Sequence, residues 1–320
     1  MKIAFVPGDY HGCGYYRMIL PAMALARKGH TVSVGAKTVD IYAADLSVWQ
    51  RPHNELHLEM VKDLKAAGKK IVLEADDNLL QLEPDNRAFY HYSREVLDRY
   101  EFVVSVADAV TVSTPPLAES LKRLNPSVHV LRNCLDETAL AKERRPSERV
   151  IVGWAGGEAH FMDLKSIRNA INNLKKRYDF DLVLSGFDPG EGVFEDYHHR
   201  SWIELEPNLN YYYNFADYGI GIAPISKTLF NEAKSDVKFL EYSVFKTPTV
   251  ASKSVTYNTI KHGETGYLAR NLDDWEKYIG ELIADPERRN RMGEAARAYV
   301  IEERIIQKNI RRWEEVYENL

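Results

Sequence analysis

Two lysines four residues apart, Lys234 and Lys238, and a glutamate three residues further on, Glu241, fall inside the stretch LFNEAKSDVKFLEYSVFKTPTVAS (229–252). The apolar run behind them closes on TPTVAS, a strand entry, so the charged residues belong to the start of a helix beginning near Ser235. The first-turn N–H groups of a helix are unpaired, and its dipole adds positive potential there. Such an end binds anions, phosphate above all. Lys234 lies at its entrance, and Lys238, one turn on, shares its face. A carboxylate at 241 would repel phosphate and suits a pair of hydroxyls, as on a ribose. Two phosphates and a ribose describe a nucleoside diphosphate. The plainer alternative is a solvated helix face with an ordinary Lys–Glu pair, which adds little stability. The local sequence leaves both open.

Three further stretches carry chemistry-bearing residues. GDYHGCGYYR (8–17) has Gly8, Gly12 and Gly14, which allow close backbone approach between a strand and a helix. Its glycine spacing is not that of the dinucleotide fingerprint, and no acidic residue ends the second strand. Arg17 could reach a phosphate; its bland alternative is a surface cation. VGWAGGEAHFMDLKSI (152–167) puts Gly156 and Gly157 where a strand gives way to a helix. His160 and Asp163 follow three residues apart, more often a capping or structural contact than a catalytic couple. VLEADDNLLQL (72–82) places Asp76 and Asp77 at a strand end. Adjacent strand residues point to opposite faces, so the pair serves one site only if the strand has ended, and capping is the alternative. Nucleophile elbow, P-loop and H-E-x-x-H are all absent. His198 and His199 read as solvated loop residues, and Tyr211, Tyr212 and Tyr213 as a partly buried face or a stacking platform.

Short apolar runs alternate with amphipathic ones of ten to fifteen residues, which predicts βαβ units and mostly parallel sheets. The strand candidates KIAFV, HTVSVG, LSVWQ, KKIVLEAD, AVTVS and VHVLRN precede a charged, aperiodic linker, AKERRPSER (141–149). A second series starts at VIVGWAGG and ends in helices. Ligands of such sheets sit beyond the carboxyl ends of the strands, and two facing units put the site between them. With 320 residues, 45% hydrophobic and 28% charged, the chain has the size of two globular domains. A net charge of -5 excludes a surface that grips nucleic acid everywhere, though not a local basic groove. Cys13 and Cys134 have neither metal-ligand spacing nor a disulfide framework and read as small buried side chains of a reducing compartment. No apolar run spans a bilayer, and MKIAFVPGDY turns polar after one short strand, unlike a signal peptide. A cytoplasmic protein is expected.

In their order, GCGYYRMILPAMAL, VWQRP, LEADDNL, ADAVTVSTPPLAESL, VLRNCLD, VGWAGG, FNEAKSDVKFLEY and HGETGYLA resemble the GT-B-type glycosyltransferases close to family 4, in particular the bacterial and phage members. The resemblance covers essentially the whole chain. It implies an α/β protein of two facing, doubly wound Rossmann-like domains. The acceptor side is 1–143, the nucleotide-sugar side is 150–304, and a last helix, 305–320, packs back on the first. Glu241 matches the second glutamate of the family's E-x7-E motif, which holds the ribose hydroxyls. Ser235 and Asp236 fall where backbone N–H groups meet the diphosphate, and Gly12 and Gly14 in the loop beneath the donor phosphates. The first glutamate would stand at position 233, which is Ala233 here, with Glu232 one residue out of register. The family's Arg and Lys diphosphate clamp has no match in GGEAHFMDL, and Lys234 and Lys238 substitute for it. Phe187, with Ser185 and Gly186, and the residues near Trp202 and Ile203 fall where the base sits.

The implied activity is metal-independent, retaining transfer from a nucleoside-diphosphate sugar without a protein nucleophile and without a further cofactor. His11, Asp76 and Asp77 are candidates for a base or for orienting the sugar. The acceptor is a glycan, a lipid-linked glycan or a small molecule. A second option is modified DNA, for which Arg51, His53, Arg87, Tyr90 and Tyr92 would line a groove. A non-catalytic nucleotide-sugar-binding module is the rival from another class.

Overall fold

The computed structural model describes residues 1–320 except 36, 53, 146, 191 and 203–209, so His53 and Ile203 lie outside the described residues. Strands β1 (Lys2–Val6), β2 (Thr31–Val34), β3 (Leu46–Gln50), β4 (Lys70–Ala75), β5 (Ala109–Val112) and β6 (Val128–Val130) form one sheet in the order β2-β1-β3-β4-β5-β6. Strands β7 (Ile151–Gly156), β8 (Asp181–Gly186), β9 (His198–Arg200), β10 (Ile220–Ala223), β11 (Thr249–Ser252) and β12 (Gly266–Ala269) form a second, ordered β12-β11-β10-β7-β8-β9. Every named pairing is parallel. Strands β3, β5 and β10 are buried at each position. That is what a parallel sheet covered by helices on both faces requires, and why these segments read as unbroken apolar runs.

Strand order reverses between β1 and β3 in the first sheet and between β7 and β10 in the second. These switch points are where loops diverge and leave a crevice. The register matters for the site: Gln50 of β3 pairs with Glu74 of β4, so the residue after Gln50 and the two after Ala75 emerge together at one edge.

His198 and His199 are exposed, as expected, but not in a loop. They form edge strand β9, and the His199 ring bonds the Gly186 carbonyl at 2.9 Å. The first helix also departs from a simple α-helix. Gly12–Gly14 is α-helical, Tyr15–Ile19 is π-helical, and Leu20–Arg27 resumes the α-helix. Pro21 has no N–H for the carbonyl four residues back, so the ladder widens just before it. Such π-turns gather at functional sites.

The interface between the units is itself a core. One apolar cluster contains Phe5, Met18 and Leu135 of the first unit together with Phe215, Phe239 and Tyr242 of the second. Ile306, Trp313 and Tyr317 of the last helices (Ile306–Asn309 and Arg311–Glu318), and Ile310 between them, join it. The chain end is tied to the first unit by backbone bonds between Leu135 and both Arg304 and Ile306, and by His30 against Glu314 at 3.2 Å.

Candidate active site between the two units

A cavity of about 880 Å³ opens between the carboxyl edges of the two sheets, at both switch points. One wall is the β1 loop with His11, Gly12 and Cys13, joined by Arg51, Asp76 and Asp77. The other is the β7 and β8 ends with Gly156, Gly157, His160 and Phe187, and the segment carrying Lys234, Ser235, Lys238 and Glu241.

Asp236 caps the helix Val237–Val244, so it starts two residues after Ser235. Lys238, in its first turn, is only 8% exposed. Its Nζ lies 3.3 Å from His160 Nε2 and 5.7 Å from the Trp154 ring centroid. Burial, with Glu241 opposing and Lys234 adding to it, pushes its pKa from 10.5 down to about 8. His160 Nδ1 contacts Asp163 Oδ2 at 2.7 Å. Burial, then Lys238 and Lys234, push the imidazole down to about 3. The ring is therefore neutral. We assign its proton to Nδ1, facing the carboxylate, which leaves the Nε2 lone pair for the Lys238 ammonium. Asp163 is fixed in turn: its Oδ1 accepts from Ser226 N at 2.7 Å and Asn231 Nδ2 at 3.1 Å. The His160–Asp163 contact is thus a rigid brace under a buried cation. Lys234 stands 4.5 Å over Phe230 and 3.9 Å from Asp77 across the cavity.

Glu241 is 3% exposed. Its Oε1 accepts from Tyr211 at 2.7 Å and from Tyr16, on the π-helical turn of the first unit, at 2.9 Å. Burial raises its pKa, offset by the Tyr211 bond and Lys238. Gly156 approaches so closely that a Cβ would lie 2.6 Å from the Trp154 ring and 3.2 Å from Lys238 Nζ, whereas one on Gly157 would meet nothing. Phe187 lines the end of the cavity with Trp202, which packs edge-on against Tyr211 at 5.2 Å. Arg87 of the first unit reaches across, 4.5 Å from the Phe161 ring and 5.1 Å from that of Phe187.

On the opposite wall β4 ends at Ala75, so Asp76 and Asp77 both follow the strand and both line the cavity. The two acids are not equivalent. Asp76 is 8% exposed and accepts from Gln50 Nε2 at 3.1 Å and from Arg51 Nε at 3.0 Å. Arg51 also holds Asp9 at 2.7 Å and has a φ of 48°. That left-handed backbone is strained for arginine. Burial would raise the Asp76 pKa, but the Arg51 guanidinium overrides it and keeps the carboxylate charged. Asp77 is partly exposed, with Lys234 as its ion-pair partner.

Several expected placements are corrected. Arg17 lines the cavity and is 2% exposed, so it is the surface-cation alternative that falls. It pairs with Glu74 at 2.7 Å and donates to Leu131 O and to Asn133 Oδ1 at 2.8 Å. Its second terminal nitrogen is buried without a hydrogen-bond partner among the described residues. Gly14 does not border the cavity: a Cβ there would lie 1.8 Å from Asp9 O, so its role is to let the β1 loop fold on itself. The Asp236 side chain pairs with Arg304 at 2.8 Å, which leaves the expectation for its backbone N–H untouched. Cys13 is an exposed residue of the cavity wall and only Cys134 is buried.

Sequence reasoning did not single out Tyr16 or Asn133, and named Arg51 only for a DNA groove and Tyr211 only as part of an aromatic run, not as partners of Asp76 and Glu241. Asn133 Nδ2 donates to Ser235 Oγ at 2.8 Å and so joins the two units. Arg51 and Asn133 sit in VWQRP and VLRNCLD, where a cation and an amide beside a strand end were the available signals.

Cys13, Asp76 and Asp77 bring three ligand atoms within 4.8 Å of one another. They suit a cation poorly. Arg51 already occupies Asp76.

No family model matches the sequence, and no curated protein matches it either. Solved structures do. Anabaena HepE in complex with UDP-glucose is similar at a TM-score of 0.73 and 13% identity, over 100% of both chains. Sucrose-phosphate synthase from Thermosynechococcus elongatus is similar at 0.71 and 13%, over 99% of this chain and 98% of that one. A glycosyltransferase from Rickettsia africae gives 0.71 and 14%, over 99% and 97%. At these identities the likeness shows the fold: an α/β chain of two Rossmann-like units in the GT-B arrangement. Among the described residues no helix is long and apolar enough to cross a membrane.

Proposed function

We propose that the protein transfers a sugar from a nucleoside-diphosphate sugar to an acceptor hydroxyl, with retention and without a metal ion. The observation that carries this reading is the helix start that presents Lys238 and Ser235 to the cavity, with Lys234 before it and Glu241 one turn behind. The diphosphate would lie against the two ammonium groups and the free N–H groups of the first turn. Glu241, with its tyrosines, would take the ribose hydroxyls. Phe187 and Trp202 would border the base. Uridine is the first base to try, because HepE was solved with UDP-glucose.

As the glycosidic bond to the diphosphate breaks, negative charge grows on the leaving oxygen. Two cations and a helix dipole already aimed there stabilise it without reorganisation. The brace on Lys238 keeps that donor in place, and closure of the units excludes water. Asp77 and His11 are the groups left to orient the acceptor or take its proton, since Asp76 is neutralised by Arg51.

A glycan, lipid-linked glycan or small-molecule acceptor fits better than DNA. Of the residues that would form a DNA groove, Arg87 is taken up by Phe161 and Phe187, and Arg51 by Asp9 and Asp76. The two unpaired cysteines suit the reducing cytoplasm.

The test is a thermal-shift and turnover screen of nucleotide sugars, with Lys238→Ala and Glu241→Ala as controls. The reading requires a donor that stabilises the wild type, releases nucleoside diphosphate on turnover and loses both effects in the controls. Stabilisation without turnover would leave a nucleotide-sugar-binding module instead.

A further inference from the structure

The cleft between the units is divided in two. The short segment 232–236 crosses it from the second unit and docks on the first. Ala233 is 1% exposed in the apolar core of the first unit, and its carbonyl accepts from Thr114 Oγ1 at 2.7 Å. Ser235 is held by Asn133 at 2.8 Å. On one side of this bridge lies the cavity described above, over β1, β3, β4, β7 and β8. On the other lies a separate compartment of about 530 Å³, over the ends of β5, β6 and β11 and walled by the last long helix. Lys234 belongs to both. Glu232, one residue out of register for the donor, faces the second compartment.

The chemistry of that compartment differs from that of its neighbour. Its charges largely cancel. Arg304 is spent on Asp236, Lys234 faces Asp77, and Glu119 is paired with Lys122. That leaves Arg132 and Glu232 as one cation and one anion with no ion-pair partner among the described residues. Among them stand hydroxyls and an amide: Ser113, Thr259, the exposed Asn258, and Thr256, whose hydroxyl already donates to Asn231 O at 2.8 Å. Ser113 is 3% exposed, and its hydroxyl has no hydrogen-bond partner among the described residues, although it can both donate and accept. Leaving such a group unmade is costly. Val255 and Tyr299 supply apolar surface. A balanced lining of hydroxyl, amide, one cation and one anion, with a little apolar wall, suits a neutral polyol. It does not suit a phosphate or a nucleic acid, which needs net positive charge.

We propose that this second compartment binds a neutral oligosaccharide, namely the part of a glycan acceptor remote from the hydroxyl that reacts. This rests on the glycosyltransferase reading. The bridge would then separate donor diphosphate from acceptor chain while Lys234 touches both.

The experiment is isothermal titration of UDP-saturated protein with maltotriose, cellotriose, mannotriose and chitotriose. It is repeated on Asn258→Trp, which narrows the mouth from an exposed position, and on Ser113→Ala, which removes the orphan hydroxyl. At least one trisaccharide should bind the wild type. Its Kd should rise about tenfold or more in Asn258→Trp, about 1.4 kcal/mol, and several-fold in Ser113→Ala, with the Kd for UDP within about twofold of wild type in both. The proposal is overturned if no trisaccharide binds, if binding is unchanged in both variants, or if UDP displaces the trisaccharide. Should UDP fail to bind, the donor reading fails by itself, and titration of the free protein still reads the second compartment.

Discussion

Lys238 Nζ lies 3.3 Å from His160 Nε2, and the other ring nitrogen of His160 lies 2.7 Å from Asp163. A buried ammonium is thus held by a neutral imidazole rather than by a carboxylate. The arrangement fixes the cation without cancelling its charge and leaves it for an anionic ligand. Its cost falls on the protein: a lysine with a depressed pKa destabilises the fold below that pKa, and the penalty is relieved as pH rises from about 8 toward 10.5. Lys238→Met should therefore leave the melting temperature of the free protein unchanged or higher. The same change should weaken UDP by about 2–4 kcal/mol, some 30- to 1000-fold. Parallel loss of stability and binding would show that Lys238 is structural.

The titration gives a second test. A diphosphate raises the pKa of a nearby lysine, so binding above pH 8 must take up a proton. UDP affinity should be highest below pH 8 and fall as pH climbs past it. Calorimetry at pH 8.5 in two buffers of different ionisation enthalpy should show proton uptake in the wild type and none in Lys238→Arg. Equal heats in both buffers would contradict the assignment.

If Glu241 takes the ribose hydroxyls, it should discriminate between UDP and 2′-deoxy-UDP. Losing one hydroxyl costs about 1–2 kcal/mol where a buried carboxylate is left unpaired. Wild-type protein should prefer UDP by about tenfold, and Glu241→Ala should erase the preference. Tyr211→Phe, which frees one of the two bonds to Oε1, should reduce it part of the way. A preference that survives Glu241→Ala would place the ribose elsewhere.

Much of this was legible in the sequence. The strand runs of both sheets other than β9 follow from periodicity, because buried parallel strands are apolar throughout and helices between them are not. What sequence could not supply is how pairs far apart in the chain are matched. Nothing local says that Arg51 belongs to Asp76, that Tyr16 belongs to Glu241, or that Arg17 pairs with Glu74. Those partners are set by the β3–β4 register and by how the two units meet. His198 and His199 were misread because β9 is three residues of polar edge strand, which carries no apolar signal. Gly14 was misread because a glycine needed for close packing on Asp9 looks the same in sequence as one needed for a ligand.

Position 233 separates resemblance from structure. By family resemblance, Ala233→Glu would restore a missing glutamate and improve turnover. By structure it drives a carboxylate into the apolar core of the first unit at a site 1% exposed. The expected outcome is a loss of about 3 kcal/mol or more in denaturant unfolding, without faster turnover. A stable, more active variant would overturn the account of the bridge.

Arg51 holds three loops together through Asp9 and Asp76. Arg51→Ala leaves Asp76 buried without its cation, which should cost about 3–5 kcal/mol at pH 7. With Arg51 present the depressed carboxylate contributes stability above its ordinary pKa of about 3.9, lost as pH falls through the lower folded value. Without Arg51, burial raises that pKa and the variant recovers as the acid protonates. The gap between the two proteins should narrow on acidification from pH 7. A gap that does not change with pH would assign Arg51 a packing role only.

The most direct test of the central claim is a crystal structure with bound UDP. The account predicts the diphosphate within hydrogen-bonding distance of Lys238 Nζ and the backbone N–H groups that follow Ser235, with the ribose hydroxyls on Glu241. Electron density for UDP beyond reach of the helix Val237–Val244 would contradict it.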